Sequence, residues 1–150
     1  MKIISGFPGV GKSYVKENTN INCYDSDSSH YSWLEKGSRH PDFPSNYIKH
    51  IKEVLNEWDG PDYMFVSTHA DVREALRKHN LEFTVVYPDI SLKAEYIQRY
   101  IDRGSPETFV DLMSHNWEGF IKGLELEEEL NPNKIVLKEG QTLWSILKEK

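Results

Sequence analysis

Gly6-Phe7-Pro8-Gly9-Val10-Gly11-Lys12-Ser13 reproduces the pattern G-x-x-x-x-G-K-[ST] in full. The apolar run Lys2–Ser5 precedes it and reads as a strand, and a helix is expected to open at its end. A strand, a glycine-rich turn and a helix in that order make a cradle for phosphate. Glycine lets the backbone turn its N–H groups inward and approach an anion closely. The helix N-terminus adds further donors and a favourable dipole. Lys12 is placed to reach the β- and γ-phosphates, and the Ser13 hydroxyl to ligate Mg²⁺. Gly6, Pro8, Gly9, Val10, Gly11, Lys12, Ser13 and Tyr14 therefore form the candidate nucleotide-binding set. The motif points to a nucleoside triphosphate and does not separate kinases from switches, motors or ATPases.

The rest of the chain carries the pattern such a start requires. Four more short apolar runs read as strands: Ile21–Tyr24, Tyr63–Ser67, Phe83–Tyr87 and Lys134–Leu137. The Tyr63 and Phe83 runs are almost continuously hydrophobic, as in strands covered on both faces of a parallel sheet. Helical spacing is expected over Asn46–Trp58, Asp71–His79, Ser91–Asp102, Pro106–Leu130 and Thr142–Lys150. Alternation of strands and helices predicts one three-layer α/β domain over 1–150. At 150 residues, 38% hydrophobic, the chain can bury one sizeable core. No apolar run approaches a membrane span, so no membrane partner is expected. Cys23 is the only cysteine, which excludes an internal disulfide and suits a reducing cytoplasm. The net charge of −6 disfavours general binding to duplex DNA.

Two further clusters carry chemistry. Asp25 and Asp27 close the second expected strand, where open α/β sheets place ligands. One can orient a Mg²⁺ shell, with Asp25 joining Ser13 as the metal set. The other, Asp27, can accept a proton from an attacking hydroxyl. The same residues can instead cap a turn. Arg99 and Arg103 are four apart on one helix face, ahead of Gly104 and Pro106. This reads as a small helical lid over about 91–118 that brings cations to a transferring phosphoryl group. The alternative is a solvated face in which Glu95 pairs with Arg99.

With these three motifs in place the chain resembles the small P-loop kinases. That group includes nucleoside monophosphate kinases, shikimate kinase and polynucleotide 5′-hydroxyl kinases. It looks most like the short nucleotide-kinase-like proteins of bacteriophages. GFPGVGKS, the acidic DSD and R-x-x-x-R-G carry the likeness over nearly the whole chain. The resemblance implies a P-loop NTPase fold with a five-stranded parallel sheet of order 2-3-1-4-5. It implies ATP and Mg²⁺ as cofactors, with adenine near the lid base and Lys138-Glu139-Gly140. It implies catalytic roles for Lys12, Asp25, Asp27, Arg99 and Arg103, with Arg103 also touching the nucleotide. It also implies the cytoplasm, that of a host if a phage encodes the chain. Two departures stand out. The first helix must be short, because a dozen residues separate Lys12 from Asp25. Strand three ends in Val66-Ser67-Thr68-His69, without the usual second aspartate.

The acceptor is expected between strands two and three, where Trp33, Arg39, His40 and Phe43 lie. Arg39 can pair with a monophosphate, as can Arg73 after strand three. His69 can hydrogen-bond a substrate or cap a turn. A monophosphate acceptor is already anionic and needs cations, whereas a hydroxyl acceptor needs a base. Four arginines suit the first, and Asp27 suits the second. The leading expectation is an ATP-dependent kinase for a (deoxy)nucleoside monophosphate. The alternatives are a kinase for a nucleoside, small-molecule or polynucleotide 5′ hydroxyl, and a nucleotide-binding module or slow ATPase. Nucleic acid enters these readings only as a 5′ end.

Overall fold

A computed structural model describes residues 2–25, 45–56, 62–68, 70–126 and 133–148. Its centre is a five-stranded, all-parallel sheet: β1 (Lys2–Gly6), β2 (Cys23–Asp25), β3 (Tyr63–Val66), β4 (Phe83–Pro88) and β5 (Lys134–Leu137). The strand order is β2-β3-β1-β4-β5, the order that the resemblance implies. Register is set along β1, where Ile4 lies opposite Phe65 of β3 and Thr84 of β4. The near-continuous apolar runs of β3 and β4 become strands buried against both layers. Met64, Phe65, Val66, Val85, Val86 and Tyr87 are all core residues.

Helices cover both faces: α1 (Lys12–Asn18), α2 (Ser45–Leu55), α3 (Ala70–Lys78), α4 (Lys93–Asp102), α5 (Glu107–Leu126) and α6 (Leu143–Leu147). α1 is seven residues long, as the spacing from Lys12 to Asp25 requires. α2 and α3 pack together, as do α1 with α6 and α4 with α5. Among the described residues no helix is long and apolar enough to cross a membrane.

Helix ends differ from the expected ones for local reasons. The segment expected as a helix from Ser91 begins instead with a 3₁₀ turn, Ile90–Leu92. Asp89 caps that turn, its carboxylate accepting from the Ser91 N–H and hydroxyl at 3.0 and 2.8 Å. Lys138 Nζ, at 2.6 Å, and Ser91 hold the Asp89 carboxyl well below the ordinary carboxylate range. α6 begins one residue after the expected Thr142. Thr142 and Ser145 close a reciprocal capping box that satisfies two end N–H groups.

The core continues from the sheet into an aromatic cluster at the base of α4 and α5. Trp117 on α5 meets Phe7 edge-on at 5.5 Å and Tyr96 of α4 at 5.6 Å. Its indole N–H donates to the Ile90 carbonyl at 2.9 Å. These rings set where α5 lies relative to the turn after β1.

Candidate functional site: the turn after β1

β1 is the middle strand. The chain leaves it towards β2 on one side, and leaves β4 towards β5 on the other. A crevice therefore opens at the carboxyl ends of this pair, the usual ligand position in open α/β sheets. Gly6–Ser13 fills the floor of that crevice. The Phe7 N–H is tied to the Val86 carbonyl of β4 at 2.9 Å.

The turn is gripped through its carbonyls. The Tyr100 hydroxyl donates to Pro8 O at 2.7 Å, Arg99 Nη1 to Gly9 O at 2.9 Å, and the Leu143 N–H to Val10 O at 2.8 Å. In a trans peptide the next N–H points opposite its carbonyl. Fixing the Pro8 and Val10 carbonyls outward thus turns the N–H groups of Gly9 and Gly11 to the other side. Burial pushes the Tyr100 hydroxyl well above the ordinary tyrosine range, so it stays a donor at every working pH. The Val10 side chain is fully buried, so only its backbone can serve a ligand.

Gly9 and Gly11 have φ of +91° and +105°, values that favour glycine. At Gly9 a Cβ would also meet the Tyr100 and Tyr96 rings at 3.0 and 3.1 Å. Gly9→Ala is expected to destabilise the protein by about 1–3 kcal/mol. Urea unfolding of the variant checks this, and an unchanged midpoint would contradict the close packing of α4 on the turn.

Lys12 lies over the turn, its ammonium 2.8 Å from the Gly6 carbonyl. Its stem passes so near Gly6 that a Cβ there would sit 2.9 Å from Lys12 Cδ. The Ser13 hydroxyl lies 3.4 Å from Asp25 Oδ2, at the end of β2. This brings together the two oxygens singled out for a metal. Tyr14 is exposed. Among the described residues no cluster of three or more His, Cys, Asp or Glu could hold a metal. A magnesium ion on phosphates needs only one or two protein oxygens, and a hydroxyl with a carboxylate suits it.

Arg99 makes the expected pair with Glu95 and also reaches the turn. It pairs with Glu95 at 2.8 Å, lies over the Tyr96 ring at 4.3 Å, and holds the turn through Gly9. Arg103 instead lies over Tyr100 and Phe109 and donates to Ser105. Arg73 on α3 is 6% exposed, and its Nε donates to the Thr68 carbonyl at 2.9 Å. Arg73 borders a cavity of about 290 Å³, bounded also by Gly6, Pro8, Lys12, Thr68 and one face of α5. The loop expected near adenine is closed by the Lys138 N–H donating to Gln141 Oε1 at 2.8 Å. Asp27, Trp33, Arg39, His40, Phe43 and His69 lie outside the described residues.

Sequence reasoning missed Tyr100 and Leu143 as the grips on the turn, and α5 as a wall of the cavity. A signal for the last was present. Gly119 and Gly123 sit four apart inside a helical pattern that glycine weakens.

No protein-family model matches the chain, and no curated protein matches its sequence.

Proposed function

We propose that the protein is an ATP-dependent phosphotransferase whose acceptor is a (deoxy)nucleoside monophosphate. The observation that carries this reading is the placement of the full G-x-x-x-x-G-K-S turn. It lies at the carboxyl end of the central parallel strand, with Lys12 over it and the Ser13–Asp25 oxygen pair beside it. The turn's N–H groups and Lys12 bind the β- and γ-phosphates. Ser13 and Asp25 are the oxygens that would hold Mg²⁺, which when bound neutralises phosphate charge. An acceptor phosphate oxygen attacks the γ-phosphorus, and the bond from that phosphorus to the β–γ bridging oxygen breaks. ADP leaves with that electron pair, and the acceptor becomes a diphosphate. The attacking oxygen is already anionic, so no protein base is needed. Arg73 beside the cavity favours such an anion.

Incubation with γ-labelled ATP and a panel of acceptors tests the reading. Label is expected on a nucleoside monophosphate. Label only on 5′-hydroxyl oligonucleotides or nucleosides would replace it with a hydroxyl kinase, and label only in inorganic phosphate with an ATPase. Asp25→Asn is expected to lower kcat/KM roughly 10–100-fold and to raise the Mg²⁺ concentration needed. Asp27→Asn is expected to cost much less. A larger loss at Asp27, with a pH–rate limb that disappears, would identify Asp27 as a base for a hydroxyl acceptor.

A further inference from the structure

The cavity beside the turn has two unlike ends. One is made by Gly6, Pro8 and Lys12, where a reacting phosphate would stand. The other is a face of α5 carrying Leu112, Met113, Gly119, Phe120, Gly123 and Leu124. Leu112 and Phe120 are 51% and 41% exposed, large apolar side chains that the described residues do not cover fully. Ser67, also on the lining, keeps a buried hydroxyl with no hydrogen-bond partner among the described residues.

The helix packing does not explain the two glycines. A Cβ at Gly119 or Gly123 would meet no atom of the described residues within 4 Å, and neither has a positive φ. Inside a 20-residue helix each weakens the helix by about 0.5–1 kcal/mol relative to alanine. What their missing side chains leave is room along the cavity wall. The volume of about 290 Å³ sits at the small end of ligand pockets, which run from roughly 300 to 1,000 Å³. It suits one ring-bearing small molecule rather than a polymer.

We infer that this α5 face seats the heteroaromatic ring of the acceptor nucleotide, so that Gly119, Phe120 and Gly123 set acceptor specificity. The inference rests on the phosphotransferase reading for the identity of the acceptor. The ring lies against Phe120 and Leu112 over the two glycines, since flat apolar surface gains most by leaving water there. Its phosphate points to Lys12 and Arg73. The ring site is thus assigned to the helix after Pro106.

Calorimetric titration tests this without any need for turnover. The ligands are the common nucleoside 5′-monophosphates and ribose 5-phosphate, each added to protein saturated with a non-hydrolysable ATP analogue. Gly123→Leu introduces a side chain into open space and favours the helix, so the variant folds. It is expected to weaken the best-bound monophosphate roughly tenfold or more, with Gly123→Ala intermediate and ribose 5-phosphate unaffected. Affinity for the ATP analogue should not change. Unchanged monophosphate binding, or an equal loss for ribose 5-phosphate, would overturn the assignment, as would a wild-type protein that binds no monophosphate. Binding that is lost in Gly123→Leu, with no label ever transferred from ATP, would uphold the ring site and reject the kinase reading. Label transfer indifferent to both glycines would do the reverse.

Discussion

Lys12→Ala is expected to lower phosphoryl transfer about 10²–10³-fold while leaving the fold intact. The side chain supplies one charge and little packing. Its ammonium donates to a carbonyl of the turn, Gly6 O at 2.8 Å, and water can take the ammonium's place on that carbonyl when the lysine is gone. A net hydrogen bond of this kind is worth about 0.5–1.5 kcal/mol, a small share of a domain's stability. The charge matters far more, because it acts on phosphate oxygens at the moment negative charge shifts onto the leaving group. The loss should therefore appear chiefly in kcat, with a smaller change in ATP affinity. Lys12→Arg should not rescue it. A planar, forked guanidinium and a compact ammonium differ in geometry, so the longer side chain does not place its charge where the lysine does. Steady-state kinetics and ATP titration of both variants check this. A Lys12→Ala protein with wild-type turnover would remove the nucleotide site from the turn.

Trp117→Ala is expected to destabilise the protein by about 3–5 kcal/mol. The indole is among the largest fully buried side chains, and its loss leaves a cavity between α5, α4 and the turn. It also leaves the Ile90 carbonyl without its donor. For a chain of this length the melting temperature should fall by roughly 6–20 °C. Trp117→Phe keeps a ring against Phe7 and Tyr96 but lacks the N–H, so its loss should be about 1–3 kcal/mol. The effect is not confined to stability. Phe7 belongs to the turn, and Tyr96 and Tyr100 on α4 pack over Gly9. A folded Trp117→Ala protein should therefore bind ATP more weakly as well. Thermal unfolding and ATP titration of both variants measure the two effects separately. A Trp117→Ala loss below about 1 kcal/mol would mean that α5 does not anchor the site.

The glycine-rich turn, the five strands and their parallel arrangement follow from local sequence. The turn needs positive φ at Gly9 and Gly11, and only the pattern of glycines can signal that. The buried strands need unbroken apolar runs, which β3 and β4 display. Ser13 and Asp25 were legible as a pair because each ends or begins an element at the same edge of the sheet. The order of the strands came from the resemblance and not from periodicity, since every strand carries similar apolar residues. Tertiary structure decided which side chains hold the turn. Tyr100, Arg99 and the Leu143 N–H lie about ninety or more residues from the carbonyls they hold, and hydrogen bonds over such separations leave no periodic trace. It also decided that Arg99, over the Tyr96 ring, reaches the turn, whereas Arg103, expected on the same helix face, caps the end of α4 and lies over Tyr100 and Phe109. The helix sets their spacing, but the packing of Tyr96 and Tyr100 on Gly9 sets which of them arrives. The apolar cavity is the clearest case. Gly119 and Gly123 read in the sequence only as weak points of a helix. They become the floor of a pocket because Trp117 fixes α5 beside Lys12 and Arg73, and a cavity exists only between elements that packing has brought together.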